Sequence, residues 1–166
     1  ITAGAGGAIV SNNSEGISWI RHYISQARVS SDYRHDEIGF NYRMPNINAA
    51  LGCAQLEQLP GFLASKRRLY KKYRSVFGAM PGVRLVAEPA DCKSNYWLQA
   101  IQLDDTVASQ RDEVLAATNA AGLTTRPVWN LLHSVIPYRY CPRAPLPVAE
   151  YLEQRLINIP SSAGLA

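Results

Sequence analysis

Asp36-Glu37-Ile38-Gly39-Phe40-Asn41-Tyr42-Arg43-Met44-Pro45-Asn46 runs directly into Ile47-Asn48-Ala49-Ala50-Leu51-Gly52, and it is the densest polar and aromatic cluster in the chain. It ends at a helix start. Pro45 suits a first helical turn, where its fixed φ is preorganised and its missing N–H has no intrahelical partner. Beyond it Ile47, Ala50, Leu51 and Ala54 recur at helical spacing, giving one apolar face of small residues. Asn41 and Arg43 therefore stand just before a helix N-terminus, where donors and positive charge meet an anion such as phosphate. The same two side chains equally suit a structured loop in which they satisfy backbone carbonyls.

Working outward, Asn12-Asn13-Ser14-Glu15 has the cap-then-acid spacing of a capping box, followed by an apolar stripe at Ile17, Ile20, Ile24 and Ala27. Ser30 to His35 reads as a polar loop. On the other side, one or two long helices are predicted from about Asn46 to Ala79, with Pro60-Gly61 a point of bending. Leu59, Phe62, Leu63, Leu69, Tyr70, Tyr73, Val76 and Phe77 form its apolar stripe. Lys66-Arg67-Arg68 and Lys71-Lys72 then fall on a solvated face, the alternative being a nucleic-acid patch. Ala8–Val10, Val83–Val86, Tyr96–Leu103 and Leu123–Arg126 read as strands, with Tyr96-Trp97 as core. A helix from Ser109 should close at Gly122, and a last helix should start at Pro147 and pack through Val148, Leu152 and Leu156. The proline-rich segment from Leu131 to Pro147 reads as an irregular loop of functional character. The expected fold class is α+β, with helices on one face of a small, mainly antiparallel sheet.

Composition sets the outer bounds. A chain of 166 residues with 47% hydrophobic and 18% charged content can bury a core. No stretch has the apolar length of a membrane span. The net charge of +4 favours anionic partners without choosing among them. Cys53, Cys92 and Cys141 are odd in number and widely spaced, which reads as reduced, buried thiols of a cytoplasmic protein. His22, His35 and His133 have no metal-ligand spacing, so no metal site is expected.

The motif Glu37–Met44, continued by Asn46–Gly52 and Gln55-Leu56-Glu57, resembles the signature of the DegT/StrS family of sugar aminotransferases. Ile1–Gly7, Ser94–Leu98 and Thr125–His133 fit the family in the same order, and the close of the chain, Pro147–Glu150 and Asn158–Ser162, resembles its bacillosamine- and legionaminic-acid-type members. The resemblance implies a pyridoxal-phosphate enzyme of aminotransferase fold type I, moving an amino group from glutamate to a nucleotide-linked keto-deoxysugar. It implies that residues 1–30 end the cofactor-binding large domain and that 31–166 form the C-terminal small domain. It maps a contact with the cofactor phosphate of the neighbouring subunit onto Asn41, with Arg43 beside it. His133, Arg126, Trp129 and His35 become the substrate-contact candidates, although a lone histidine is also an ordinary structural residue.

In the family the lysine that forms the Schiff base lies a residue or two before the Ile-Thr-x-Gly-x-Gly-Gly run, which here opens the chain at Ile1. Lys66, Lys71, Lys72 and Lys93 match no such position. The chain is thus expected to be the C-terminal portion of a homodimeric or larger enzyme, inactive and without cofactor by itself. The other reading is a stand-alone, non-catalytic remnant that folds and self-associates. Nucleic acid and membrane are not expected partners.

Overall fold

The computed structural model describes all residues from Ile1 to Ala166. The chain forms two compact units, Ile1–Leu59 and Pro60–Ala166.

In the first unit, helix α1 spans Ser14–Ile24. Its cap is Asn13, whose Oδ1 accepts from the Gly16 N–H at 3.0 Å. The acid of the expected box, Glu15, therefore lies inside the first turn and closes no reciprocal bond. The chain leaves α1 through Gln26 and Ala27, both in the left-handed region at φ 68° and 49°. That turn doubles the chain back on the motif. Gln26 N–H donates to Phe40 O, Phe40 N–H to Tyr23 O, and Tyr42 N–H to Ile24 O, at 3.0, 2.7 and 3.0 Å. Ala8–Val10 is not a strand: no neighbour pairs with it, and Ile9 and Val10 are exposed. Helix α2 starts at Asn46 and continues past the unit boundary to Phe77 as one helix, with Pro60 inside it.

The second unit holds the sheet. Strands β1 (Val83–Leu85), β2 (Gln99–Leu103), β3 (Arg126–Pro127) and β4 (Leu156–Ile159) lie in the order β1-β2-β4-β3, every neighbouring pair antiparallel. Helix α3 (Arg111–Ala120) leads into β3, and helix α4 (Pro147–Glu153) into β4. Burial alternates along β2 and β4, so Ile101, Leu103, Ile157 and Ile159 share one face, as the period of two demands. Tyr73 and Phe77 of α2 and Val114 and Leu115 of α3 cover that face. This is the α+β arrangement expected from the sequence.

Several boundaries differ from expectation. Leu156 opens β4 instead of closing the last helix, and Val148 is exposed. β4 pairs with both β2 and β3, so the strand not foreseen is central. The third strand is only Arg126–Pro127, with Thr125 buried ahead of it and bonded to Asn119 and Thr118. Gly122 takes the expected place after α3, at φ 79° with its N–H on Asn119 O. Val76 is exposed, unlike the rest of its stripe. All three cysteines are free and exposed, which corrects the reading of buried thiols. No helix is long and apolar enough to cross a membrane, and no cluster of metal-ligating side chains occurs.

Candidate functional site

The motif is fixed by the α1 exit beneath it. An added Cβ at Gly39 would sit 2.3 Å from Ala27 N and 2.4 Å from the Gln26 carbonyl carbon, so only glycine permits this approach. His22 Nε2 lies 2.6 Å from Asp36 Oδ1, and His35 Nδ1 lies 2.7 Å from Gln26 O. His35 thus has one ring nitrogen committed to the backbone of the turn. Along the motif, Phe40 and Tyr42 stack at 5.1 Å. In an extended stretch the alternate positions Asn41 and Arg43 then face the other way. Both are exposed, and neither side chain has a hydrogen-bond or ionic partner in the chain. The backbone-satisfying alternative for these two residues is therefore not what the geometry shows.

The glycine-rich opening run packs beside the same motif. Asn48 Nδ2 donates to Ala3 O at 2.6 Å, and Thr2 N–H to Gln55 Oε1 at 3.2 Å. Gly6, at φ 110°, lies so close to Met44 that an added Cβ would come within 2.7 Å of its Cε. Two stretches that sequence separates by more than thirty residues are thus one local structure.

In the second unit the basic segment of α2 divides. Lys71, Lys72 and Arg74 are exposed, as expected. Lys66 and Arg67 are not on a solvated face. Lys66 Nζ donates to Ser161 O at 2.5 Å and to Trp97 O at 3.1 Å, and its burial lowers its pKa. Arg67 pairs with both oxygens of Glu88, at 3.0 and 3.3 Å, and donates to Ser94 O at 2.8 Å. Its guanidinium also lies 5.2 Å from the Tyr96 ring centroid.

These contacts hold Ser94–Trp97 in a fixed turn. Ser94 N–H donates to Glu88 Oε2 at 2.5 Å, Tyr96 N–H to Ser94 Oγ and Trp97 N–H to Asn95 Oδ1, each at 2.9 Å. With Tyr96 at φ 48°, its ring points inward and stacks on Tyr70 at 4.5 Å. Trp97 turns outward and meets Trp129. The expectation that Tyr96-Trp97 is all core is half right: Tyr96 is buried, and Trp97 is an exposed aromatic that the sequence reading placed inside. Its only signal was adjacency to a tyrosine already committed to the interior.

Of the substrate candidates, Arg126 is exposed on β3 and Trp129 follows it. His133 is half-buried in a short 3₁₀ turn, Leu132–Ser134, with Nε2 3.5 Å from Glu150 Oε1 of α4. A cavity of about 390 Å³ lies beside it, lined by Leu131, Tyr138, Cys141 and Arg143 among others. His35 belongs to the first unit, and Arg126, Trp129 and His133 to the second.

A four-stranded antiparallel sheet covered by helices, with the Glu37–Met44 motif ahead of a long helix, is the arrangement expected from the family resemblance. The profile of the DegT/DnrJ/EryC1/StrS aminotransferase family matches residues 1–166, and the chain belongs to that family. It is 36% identical to the putative pyridoxal phosphate-dependent aminotransferase EpsN of Bacillus subtilis, over 81% of this chain and 34% of that protein. It is 35% identical to the GDP-perosamine synthase of Escherichia coli O157:H7, over 100% of this chain and 44% of that protein. The structure of Helicobacter pylori PseC, an aminotransferase involved in pseudaminic acid biosynthesis, superposes with a TM-score of 0.82 at 22% identity, covering 95% of this chain and 43% of that one. The fold is that of the fold type I sugar aminotransferases. The chain spans less than half the length of these relatives.

The family is pyridoxal-phosphate-dependent. The donor chemistry at Asn41 and Arg43 fits the phosphate end of that cofactor. A primary amide and a guanidinium, both unpaired, can donate charge-assisted hydrogen bonds to phosphate oxygens. The four lysines do not fit its aldehyde end: Lys66 is tied to two carbonyls, and Lys71, Lys72 and Lys93 are exposed side chains.

Proposed function

We propose that the chain is the C-terminal part of a pyridoxal-phosphate-dependent aminotransferase that moves an amino group from glutamate to a keto carbon of a nucleotide-linked deoxysugar. The observation that carries this reading is the family match along all 166 residues, combined with two unpaired donors at the motif's Asn41 and Arg43. Bound pyridoxal phosphate supplies an electron sink. The chain's own residues bind and orient. Asn41 and Arg43 donate to the cofactor phosphate of the neighbouring subunit across a homodimer interface. Arg126, Trp129, His133 and His35 contact the substrate, with Glu150 holding the His133 ring. In this reading residues 1–30 end the large domain, 31–166 form the small domain, and the enzyme works in the cytoplasm. None of Lys66, Lys71, Lys72 and Lys93 is placed as the Schiff-base lysine in this reading, so these 166 residues alone should show no turnover.

The test uses the full reading-frame product that contains this chain. Glutamate with a panel of keto-sugar nucleotides should yield 2-oxoglutarate, and no turnover on any of them would count against the reading. Losing a hydrogen bond to a charged group costs about 1.5–3 kcal/mol. Asn41→Ala and Arg43→Ala should therefore each weaken cofactor affinity roughly tenfold to hundredfold, with the fold intact. Unchanged affinity in both variants would remove the phosphate role.

A further inference from the structure

Trp97 and Trp129 are 64% and 67% exposed, yet their rings stack at a centroid distance of 6.0 Å with a tilt of 29°. Such large apolar faces are normally among the first to be buried, so a paired set left in solvent calls for an occupant. The backbone under Trp97 is rigidly held. Its N–H donates to Asn95 Oδ1, and its carbonyl accepts from Lys66, whose ammonium is also fixed by Ser161 O. On the other side, β3 is tied to β4 by Asn158 Nδ2 on Pro127 O at 3.3 Å, two residues before Trp129. The same strand carries Arg126, an exposed cation without a partner in the chain.

We propose that Trp97 and Trp129 form the stacking platform for the base of the nucleotide-linked substrate, and that Lys66 is a positioning residue for Trp97. The proposal rests on the nucleotide-sugar reading above. A nucleobase is the occupant whose shape and charge fit best. Its flat face matches an exposed indole, and the diphosphate attached to it matches the unpaired Arg126 of the strand that leads to Trp129. Base-on-aromatic stacking contributes affinity with little regard for which base is present.

The experiment titrates the full reading-frame product with GDP, UDP and dTDP, read by calorimetry and by tryptophan fluorescence. At least one should bind and quench. Trp97→Ala and Trp129→Ala should each weaken it roughly fivefold to hundredfold, while the phenylalanine variants keep most of the affinity. Lys66→Met should weaken it less than Trp97→Ala and be rescued in part by Lys66→Arg, because a cation again reaches the Trp97 carbonyl. Thermal melts confirm folding of each variant. Affinities within twofold of wild type in both alanine variants would overturn the platform. So would weakened binding of the sugar nucleotide with unchanged binding of the free diphosphate, since the rings would then hold the sugar. A wild type that binds none of the three nucleotides would overturn it as well. The underlying reading is scored separately, on the wild-type full reading-frame product, by release of 2-oxoglutarate from glutamate. Release with tryptophan-independent nucleotide binding sinks only the platform. Tryptophan-dependent binding without release sinks only the aminotransferase reading.

Discussion

Glu88 shows how one carboxylate organises a turn. It accepts from Arg67 at both oxygens and from the Ser94 N–H, and these bonds, the arginine's first, hold its pKa below the ordinary carboxylate range. A depressed acid binds its proton less readily in the folded protein than in the unfolded chain. Its stabilisation is therefore present above the unfolded value and lost as pH falls through the lower folded one. Glu88→Gln should lower the melting temperature near neutrality. The gap from wild type should narrow as pH falls below the ordinary carboxylate range and through the lower folded value, because Glu88 then takes up its proton and resembles glutamine. A gap that stays constant over that range would show that the pair contributes nothing through charge. Gly39 sets a second limit at this scale, where backbone and not a side chain occupies the space a Cβ needs. Gly39→Ala should cost about 3 kcal/mol by denaturant titration. A loss under about 0.5 kcal/mol would mean that the turn relaxes freely.

Strand β4 is where elements decide the fold. Ile157 is fully buried at 0% exposure, in the centre of the sheet, while its neighbour Leu156 lies on the opposite face and is half-buried. Ile157→Ala should destabilise by about 2–5 kcal/mol. Leu156→Ala should cost about 1–2 kcal/mol, since it removes less buried surface. Equal effects would contradict the register. The same strand marks the limit of what sequence could say. Val148, Leu152 and Leu156 repeat every four residues, so a helical period runs unbroken into a strand and hides its start. Leu156-Ile157-Asn158-Ile159 is too short for its own alternation to compete. Ala8-Ile9-Val10 fails in the opposite way: its residues favour extended structure, but pairing needs a neighbour and none is in place. Elements with their own punctuation were legible, as with α2 after Pro45, α3 before Gly122, and the motif itself. The inward turn of Lys66 and Arg67 was not, because their partners Glu88, Trp97 and Ser161 are 21 or more residues away and only the tertiary fold brings them together.

At the scale of the whole molecule, the motif that carries Asn41 and Arg43 also carries apolar surface with nothing on it. Ile38 and Ile47 are 87% and 85% exposed, and Tyr42 and Leu51 are exposed beside them in sequence. Ile47 and Leu51 stand one turn apart on α2, and neither of that helix's buried residues, Ser65 and Leu69, lies in this part of it. Scattered single apolar residues on a surface are ordinary, whereas a run of them through one motif and the helix that follows marks an interaction site. If the neighbouring subunit's cofactor is what Asn41 and Arg43 reach, the partner that covers this segment is a second copy. The chain should then show a mass of at least twice its 18.3 kDa by light scattering. Ile47→Glu, which places a charge on the exposed helix face without touching the core, should shift that mass toward the monomer. In the full reading-frame product the same change should weaken cofactor retention along with association, since both depend on the partner's approach. A wild-type chain that stays monomeric at its highest soluble concentration would break the link between the exposed segment and self-association. Association that survives Ile47→Glu would move the interface elsewhere and leave the cross-subunit role of Asn41 without its geometry.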